Sequence, residues 1–173
     1  MVSTSTLGCG SSWCKRRVAD RPFPAIARSM TTTSGPGISL MSEFIGLGYF
    51  TEIPGVFFNV ARTGPSTGLP TRTMQGDIEI CAKCSHGDTF HINLYPGNMQ
   101  ECFDFSYLSF DLAEHFQTPI FVVTDLDLGM QNWASVPFTY PEGNFNRGKV
   151  LDQKELEEIK DWGRYKDVDG DGI

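Results

Sequence analysis

The chain has 173 residues, 40% of them hydrophobic, and a net charge of −7, so it is long enough to bury a core without disulfides or a structural metal. No stretch approaches the roughly 18–20 consecutive apolar residues of a membrane-spanning helix, and outside residues 1–30 nine basic residues face twenty acidic ones, a balance that repels nucleic-acid phosphates. Membrane and nucleic acid are therefore not expected partners. The five cysteines are odd in number and follow no apolar secretory signal, which predicts reduced thiols and a cytoplasmic location.

Residues 1–27 hold Cys9, Cys14, the Lys15-Arg16-Arg17 run, Pro22 and Pro24 without a periodic apolar face, and loop or disorder is expected there. The Ser-rich, acid-poor start has a faint likeness to an organellar transit peptide but lacks the amphipathic helix. Order is expected from Arg28. Residues 29–34 read as a short β segment entering the turn Ser34-Gly35-Pro36-Gly37, and residues 38–50 as an apolar helix ended by Pro54-Gly55. The run Val56-Phe57-Phe58-Asn59-Val60 has the composition of a strand covered on both faces. Residues 64–72 are rich in Gly, Pro, Ser and Thr and form a loop; 74–85 read as a helix and 92–95 as a strand.

Asn98 with Glu101 three residues on predicts a capped helix start. Cys102, Phe105, Leu108, Leu112 and Phe116 recur at helical spacing and predict its core face. Pro119 opens the apolar strand 120–124, residues 125–146 are polar and Pro-rich, and 151–165 read as a charged surface helix. Alternation of apolar strands with helices predicts an α/β fold, a parallel sheet flanked by helices on both faces. Ligands bind such sheets beyond the strands' carboxyl ends, which directs attention to the loops after Val60 and Thr124.

Those loops carry Thr33-Ser34-Gly35-Pro36-Gly37-Ile38-Ser39-Leu40-Met41-Ser42-Glu43 and Arg62-Thr63-Gly64-Pro65-Ser66-Thr67-Gly68-Leu69-Pro70-Thr71. Met74-Gln75-Gly76-Asp77, Ser85-His86-Gly87-Asp88-Thr89, Phe116-Gln117-Thr118-Pro119 and Asp125-Leu126-Asp127-Leu128-Gly129-Met130 follow in order. Together, over residues 28–173, they resemble the pyrimidine-binding domain of 2-oxoacid:ferredoxin oxidoreductase alpha subunits, in the branch named for 2-oxoglutarate. The resemblance implies oxidative decarboxylation of a 2-oxoacid on thiamine diphosphate, with the acyl group passing to coenzyme A and electrons to ferredoxin. It also implies a beta subunit that shares the thiamine diphosphate and holds Mg2+ and an iron–sulfur cluster.

The resemblance further implies a Tyr-Pro-Ile-Thr-Pro-like substrate loop and a glutamate that contacts the aminopyrimidine. Residues 1–27 contain no Glu, so the expectation is an unrelated or disordered segment at 1–27, an incomplete domain at 28–173, and no turnover by the chain alone. By the same resemblance Arg62 binds the 2-oxoacid carboxylate, for which a planar guanidinium supplies two parallel donors. Ser66 and Thr67 would donate hydrogen bonds to substrate or cofactor, and Arg72 would offer a second cation for a dicarboxylate, as would the weaker candidate His86. Ser34, Gly35 and Gly37 would let the backbone lie close to the cofactor ring.

Each has an ordinary alternative: a strand-end arginine paired with Asp77, turn-building hydroxyls, exposed loop charges, and glycines that only pack a helix on a strand. A second reading makes Cys81, Cys84, His86 and His91 a zinc or partner-binding module, although buried inert thiols explain the cysteines better. Asp167-Val168-Asp169-Gly170-Asp171-Gly172-Ile173 opens like a calcium loop but lacks the glutamate of its twelfth position, so a surface turn and no metal site are expected.

Overall fold

The computed structural model describes residues 28–142 and 146–159, with 161, 163, 166, 167 and 170; the expectation for residues 1–27 lies outside them. Four strands, β1 (Met30–Thr33), β2 (Gly55–Ala61), β3 (Ile92–Leu94) and β4 (Pro119–Asp125), form one sheet in the order β1-β2-β4-β3. All neighbours are parallel. The helices are α1 (Gly35–Phe50), α2 (Ile78–Ala82), α3 (Met99–Phe116), α4 (Leu126–Met130) and α5 (Gln153–Glu158).

Both faces of the sheet are covered, as the apolar strands predict. Successive residues of a strand point to opposite faces, and β4 divides accordingly. Phe121 and Val123 pack with Ile38 and Ile45 of α1, Ala61, and Cys81 of α2 with its neighbour Cys84, while Ile120 and Val122 pack with Val56 and with Ala113 of α3.

Three expected elements are redrawn. The Gly-Pro-Gly stretch is no separate turn; it is the first turn of α1, where the carbonyl of Ser34 accepts from the N–H groups of Gly37 (2.8 Å) and Ile38 (3.2 Å). Proline is at home there because no N–H is needed. The expected helix 74–85 contracts to Ile78–Ala82: Gln75 and Asp77 are engaged with other parts of the sheet, and Ser85 adopts a positive φ of 91°. Of the expected helix 151–165, Gln153–Glu158 is helical behind a full capping box of Asp152 and Glu155, and residues 160, 162, 164 and 165 lie outside the described set.

The start of α3 is as expected, with Asn98 Oδ1 accepting from the N–H of Glu101 (2.9 Å). The Glu101 carboxylate reaches back one residue further than a standard box, to the N–H of Gly97 (2.7 Å). Its buried residues, however, are Ser109, Ala113 and Glu114, whereas Leu108 and Phe116 of the expected core face are exposed. Small residues let the helix backbone approach the sheet, and an ion cluster draws in the acid. Glu114 lies between Arg28 (2.7 Å) and Arg147 (2.8 Å), and Arg28 also pairs with Asp111 (2.6 Å). A carboxylate tolerates such burial only when gripped by cations.

Candidate functional site

At the carboxyl end of the sheet three strands deliver side chains to one rim. From β1 come Ser34, which caps α1 through its backbone alone, and the glycines behind it. A Cβ on Gly37 would overlap Thr33 Oγ1, and one on Gly35 would sit 2.7 Å from Asp77 Oδ1. Both glycines therefore lie close against side chains of the chain itself, Gly37 against Thr33 and Gly35 against the Asp77 carboxylate.

From β2 comes Arg62, the residue after Ala61, which is paired in register with Asp125 of β4. Arg62 is half-buried and its Nε has no hydrogen-bond partner. Among the described residues nothing forms an ion pair with it. The expected alternative partner, Asp77, is turned elsewhere: its Oδ2 accepts from Nδ2 of Asn59 (3.1 Å), a fully buried residue of β2.

The loop after Arg62 folds back on itself. The N–H of Thr63 donates to the carbonyl of Arg72 (2.9 Å), that of Leu69 to Thr63 (3.1 Å), and that of Arg72 to Leu69 (3.0 Å). Arg72 is thereby brought back beside the residue next to Arg62, while Ser66 and Thr67 lie exposed between them. Gly68 holds a positive φ of 56°, and a side chain there would run into the carbonyl of Thr63. From β4 comes Asp125, whose Oδ1 caps α4 through the N–H of Leu128 (3.1 Å) and whose Oδ2 accepts from Gln75 Nε2 (3.0 Å).

The cysteine–histidine set does not assemble. Cys81, Cys84 and His91 are buried while His86 is exposed, and among the described residues no three His, Cys, Asp or Glu side chains converge as a metal site would need. Burial, helped by the nearby Asp77 carboxylate and Cys84, pushes the Cys81 thiol up to about 12, and burial also raises Cys84. These are poor ligands, since a metal needs the thiolate. His91 Nε2 lies 3.0 Å from the carbonyl of Cys84. His86 instead lines a separate cleft of about 450 Å3 with Glu43, Leu47 and Phe50 of α1, and Arg62 has no part in it. Of the calcium-like stretch only Asp167 and Gly170 are described, the N–H of Gly170 donating to Asp167 Oδ1 (2.6 Å); the rest lies outside the described residues.

The fold is α/β, a parallel sheet whose carboxyl rim carries the first turn of α1 and Arg62, an arginine that forms no ion pair among the described residues; such rims are where α/β sheets bind ligands. The family model described as pyruvate flavodoxin/ferredoxin oxidoreductase, thiamine-diphosphate-binding, matches residues 25–158, and the chain belongs to that family.

A 2-oxoglutarate synthase subunit KorA of Methanocaldococcus jannaschii is 48% identical over 59% of this chain and 28% of its own length. Subunit alpha of a 2-oxoacid:ferredoxin oxidoreductase of Aeropyrum pernix is 41% identical over 85% of this chain and 22% of its own. Among solved structures, the 2-oxoglutarate:ferredoxin oxidoreductase of Magnetococcus marinus, with 2-oxoglutarate, coenzyme A and succinyl-CoA bound, superposes with a TM-score of 0.64 at 33% identity over 80% of this chain and 23% of that one. The chain therefore spans less than a third of the length of these relatives.

The rim residues that sequence reasoning did not single out are Asn59, Gln75, Asp77 as a partner of Asn59, and Asp125. One signal for them was available: an asparagine inside the apolar run Val56-Phe57-Phe58-Asn59-Val60 needs a polar partner once buried.

Proposed function

We propose that residues 28–173 are the part of a pyrimidine-binding domain through which a 2-oxoacid:ferredoxin oxidoreductase alpha subunit holds its substrate and cofactor, with 2-oxoglutarate as the 2-oxoacid. The single observation that carries the reading is Arg62, half-buried at the exit of a central strand with its Nε unpaired. A buried guanidinium nitrogen without a partner is costly, and a carboxylate arriving at the rim would satisfy it. Arg62 then fixes the acid end of the substrate through two parallel hydrogen bonds. Arg72, brought back beside Thr63, would meet a second carboxylate, and Ser66 and Thr67 would donate to substrate oxygens.

Ser34, Gly35 and Gly37, held close against Thr33 and Asp77 at the start of α1, would lie along the ring of thiamine diphosphate, and the orphaned buried Nε of Arg62 fits an anionic substrate. When bound, that cofactor supplies the carbanion-stabilising chemistry of decarboxylation. The chain's own residues bind and orient the 2-oxoacid.

The partners that complete this reading are a beta subunit holding Mg2+ and an iron–sulfur cluster, ferredoxin as electron acceptor, and coenzyme A as acyl acceptor. The free thiols of Cys81, Cys84 and Cys102 suit a reducing compartment and support the cytoplasm.

The test compares Arg62→Ala and Arg62→Lys in the oxidoreductase assembled with its partner subunit. Removing the partner of a buried carboxylate typically costs about 3–5 kcal/mol, or roughly two to four decades of kcat/KM. Lysine keeps the charge without the two-pronged geometry and should recover part of the loss. An Arg62→Ala enzyme within about threefold of the parent, well under 1 kcal/mol, would make the arginine structural and end the assignment.

A further inference from the structure

We propose that Gln75 and Asp77 are positioning residues: a two-residue staple that joins the carboxyl ends of β1, β2 and β4 and holds Arg62 in a ligand-ready orientation. The inference rests on the reading of Arg62 as the carboxylate receptor. An arginine with no hydrogen-bond partner among the described residues takes its orientation from the backbone that carries it and the walls around it. Its backbone belongs to the segment between β2 and the staple, so whatever anchors the far end of that segment aims the guanidinium.

The anchoring is specific. Gln75 Nε2 donates to Asp125 Oδ2 (3.0 Å), and Asp125 lies across from Ala61, the residue before Arg62. Two residues on, Asp77 reaches two other strands. Its carboxylate accepts from Asn59 Nδ2 (3.1 Å), three residues before Arg62 on β2. It also lies against Gly35, the first residue of α1 behind β1. The first turn of α1 contains no acid of its own, and a carboxylate beside a helix N-terminus is favoured by the aligned peptide dipoles. Asp77 thus has two reasons to stay where it is, and neither involves Arg62.

That choice of partner matters chemically. Were Asp77 paired with Arg62, the guanidinium would arrive at the rim already neutralised. Bound to Asn59 instead, the acid fixes the loop and leaves the cation free for a carboxylate. A receptor held by its scaffold, with its own valence unspent, loses less on binding than one that must break an internal pair. The sequence places both functions in Met74-Gln75-Gly76-Asp77, a segment that the site chemistry described above does not otherwise use.

Hydrogen exchange of the chain, read by mass spectrometry, tests the staple directly. In Gln75→Ala and Asp77→Ala the amides of Thr63, Leu69 and Arg72 should exchange about tenfold faster, the size expected for losing a hydrogen bond to a charged group. The amides of Phe121 and Val122 should keep their protection, and Asp77→Asn, which can still accept from Asn59, should restore most of it. Unchanged loop amides in both alanine variants, or a loss of protection spread evenly over the sheet, would overturn the proposal. Gln75 is exposed, so its variant carries the test should Asp77→Ala fail to fold.

In the assembled enzyme the same variants should raise KM for the 2-oxoacid about tenfold with kcat within about twofold, a split that general destabilisation does not produce. An unchanged KM beside a damaging Arg62→Ala would sink the staple and spare the receptor. A parent assembly that does not bind the 2-oxoacid would sink the receptor, and with it the ligand-ready role of the staple.

Discussion

Arg28 and Arg62 stand at opposite ends of one sheet and are treated in opposite ways. Arg28, just before β1, donates to Glu114 and Asp111, reaches the carbonyl of Asn146 (3.0 Å) and lies over the ring of Phe110 (5.8 Å). It draws the entry to β1, the end of α3 and the segment around Arg147 into one charged knot. Arg62, at the exit of β2, has none of these partners. Residue type and partial burial are shared; what differs is whether the surrounding chain supplies the anion. The amino end of the sheet draws its arginines into ion pairs with Glu114 and Asp111, and Arg62 at the carboxyl end forms no ion pair among the described residues.

The contrast breaks most visibly at Glu114. Glu114→Ala would strand Arg28 and Arg147 at a partly buried site, and the loss should be about 3–5 kcal/mol, toward the lower figure because Arg28 keeps Asp111. Urea unfolding measures it, and a loss under about 1 kcal/mol would show that the knot is an ordinary surface cluster.

A smaller effect concerns His91, which is buried against Tyr49 and Phe121. Burial holds its imidazole below the ordinary value of 6.5. The unfolded chain binds the His91 proton near 6.5 and the native chain only at lower pH, so between the two the unfolded state holds more protons. Stability is therefore fully present above about 6.5 and declines as pH falls toward the native value. The melting temperature should drop between pH 7.5 and 5.5, and less steeply in His91→Gln; equal slopes would remove His91 as the source.

The smallest effect sharpens the comparison from the other side. Arg62→Ala should lower the unfolding free energy by no more than about 0.5 kcal/mol, since the side chain has no partner to lose and its orphaned Nε opposes burial. A loss several times larger would mean that Arg62 is as structural as Arg28.

What was legible in the sequence is what depends on near neighbours. The apolar runs that became β2 and β4, the glycine signals around α1, and the Asn98–Glu101 cap of α3 all rest on spacing within one or two turns. Their parallel assembly with helices on both faces follows from alternation. Arg62 stood out through its motif and through its place at a strand exit.

Tertiary structure alone decided which face of α3 turns inward, because Glu114 is buried by arginines that lie 86 residues before it and well beyond it in the chain. It decided that Asp77 serves Asn59 and Gly35 and leaves Arg62 alone. It also decided that His86 faces another cleft, whereas the burial of Cys81 and Cys84 is what their sequence already favoured. In each case the deciding partner is distant in sequence, and a side chain's worth as ion pair, staple or receptor is set by the groups that folding brings within hydrogen-bond reach.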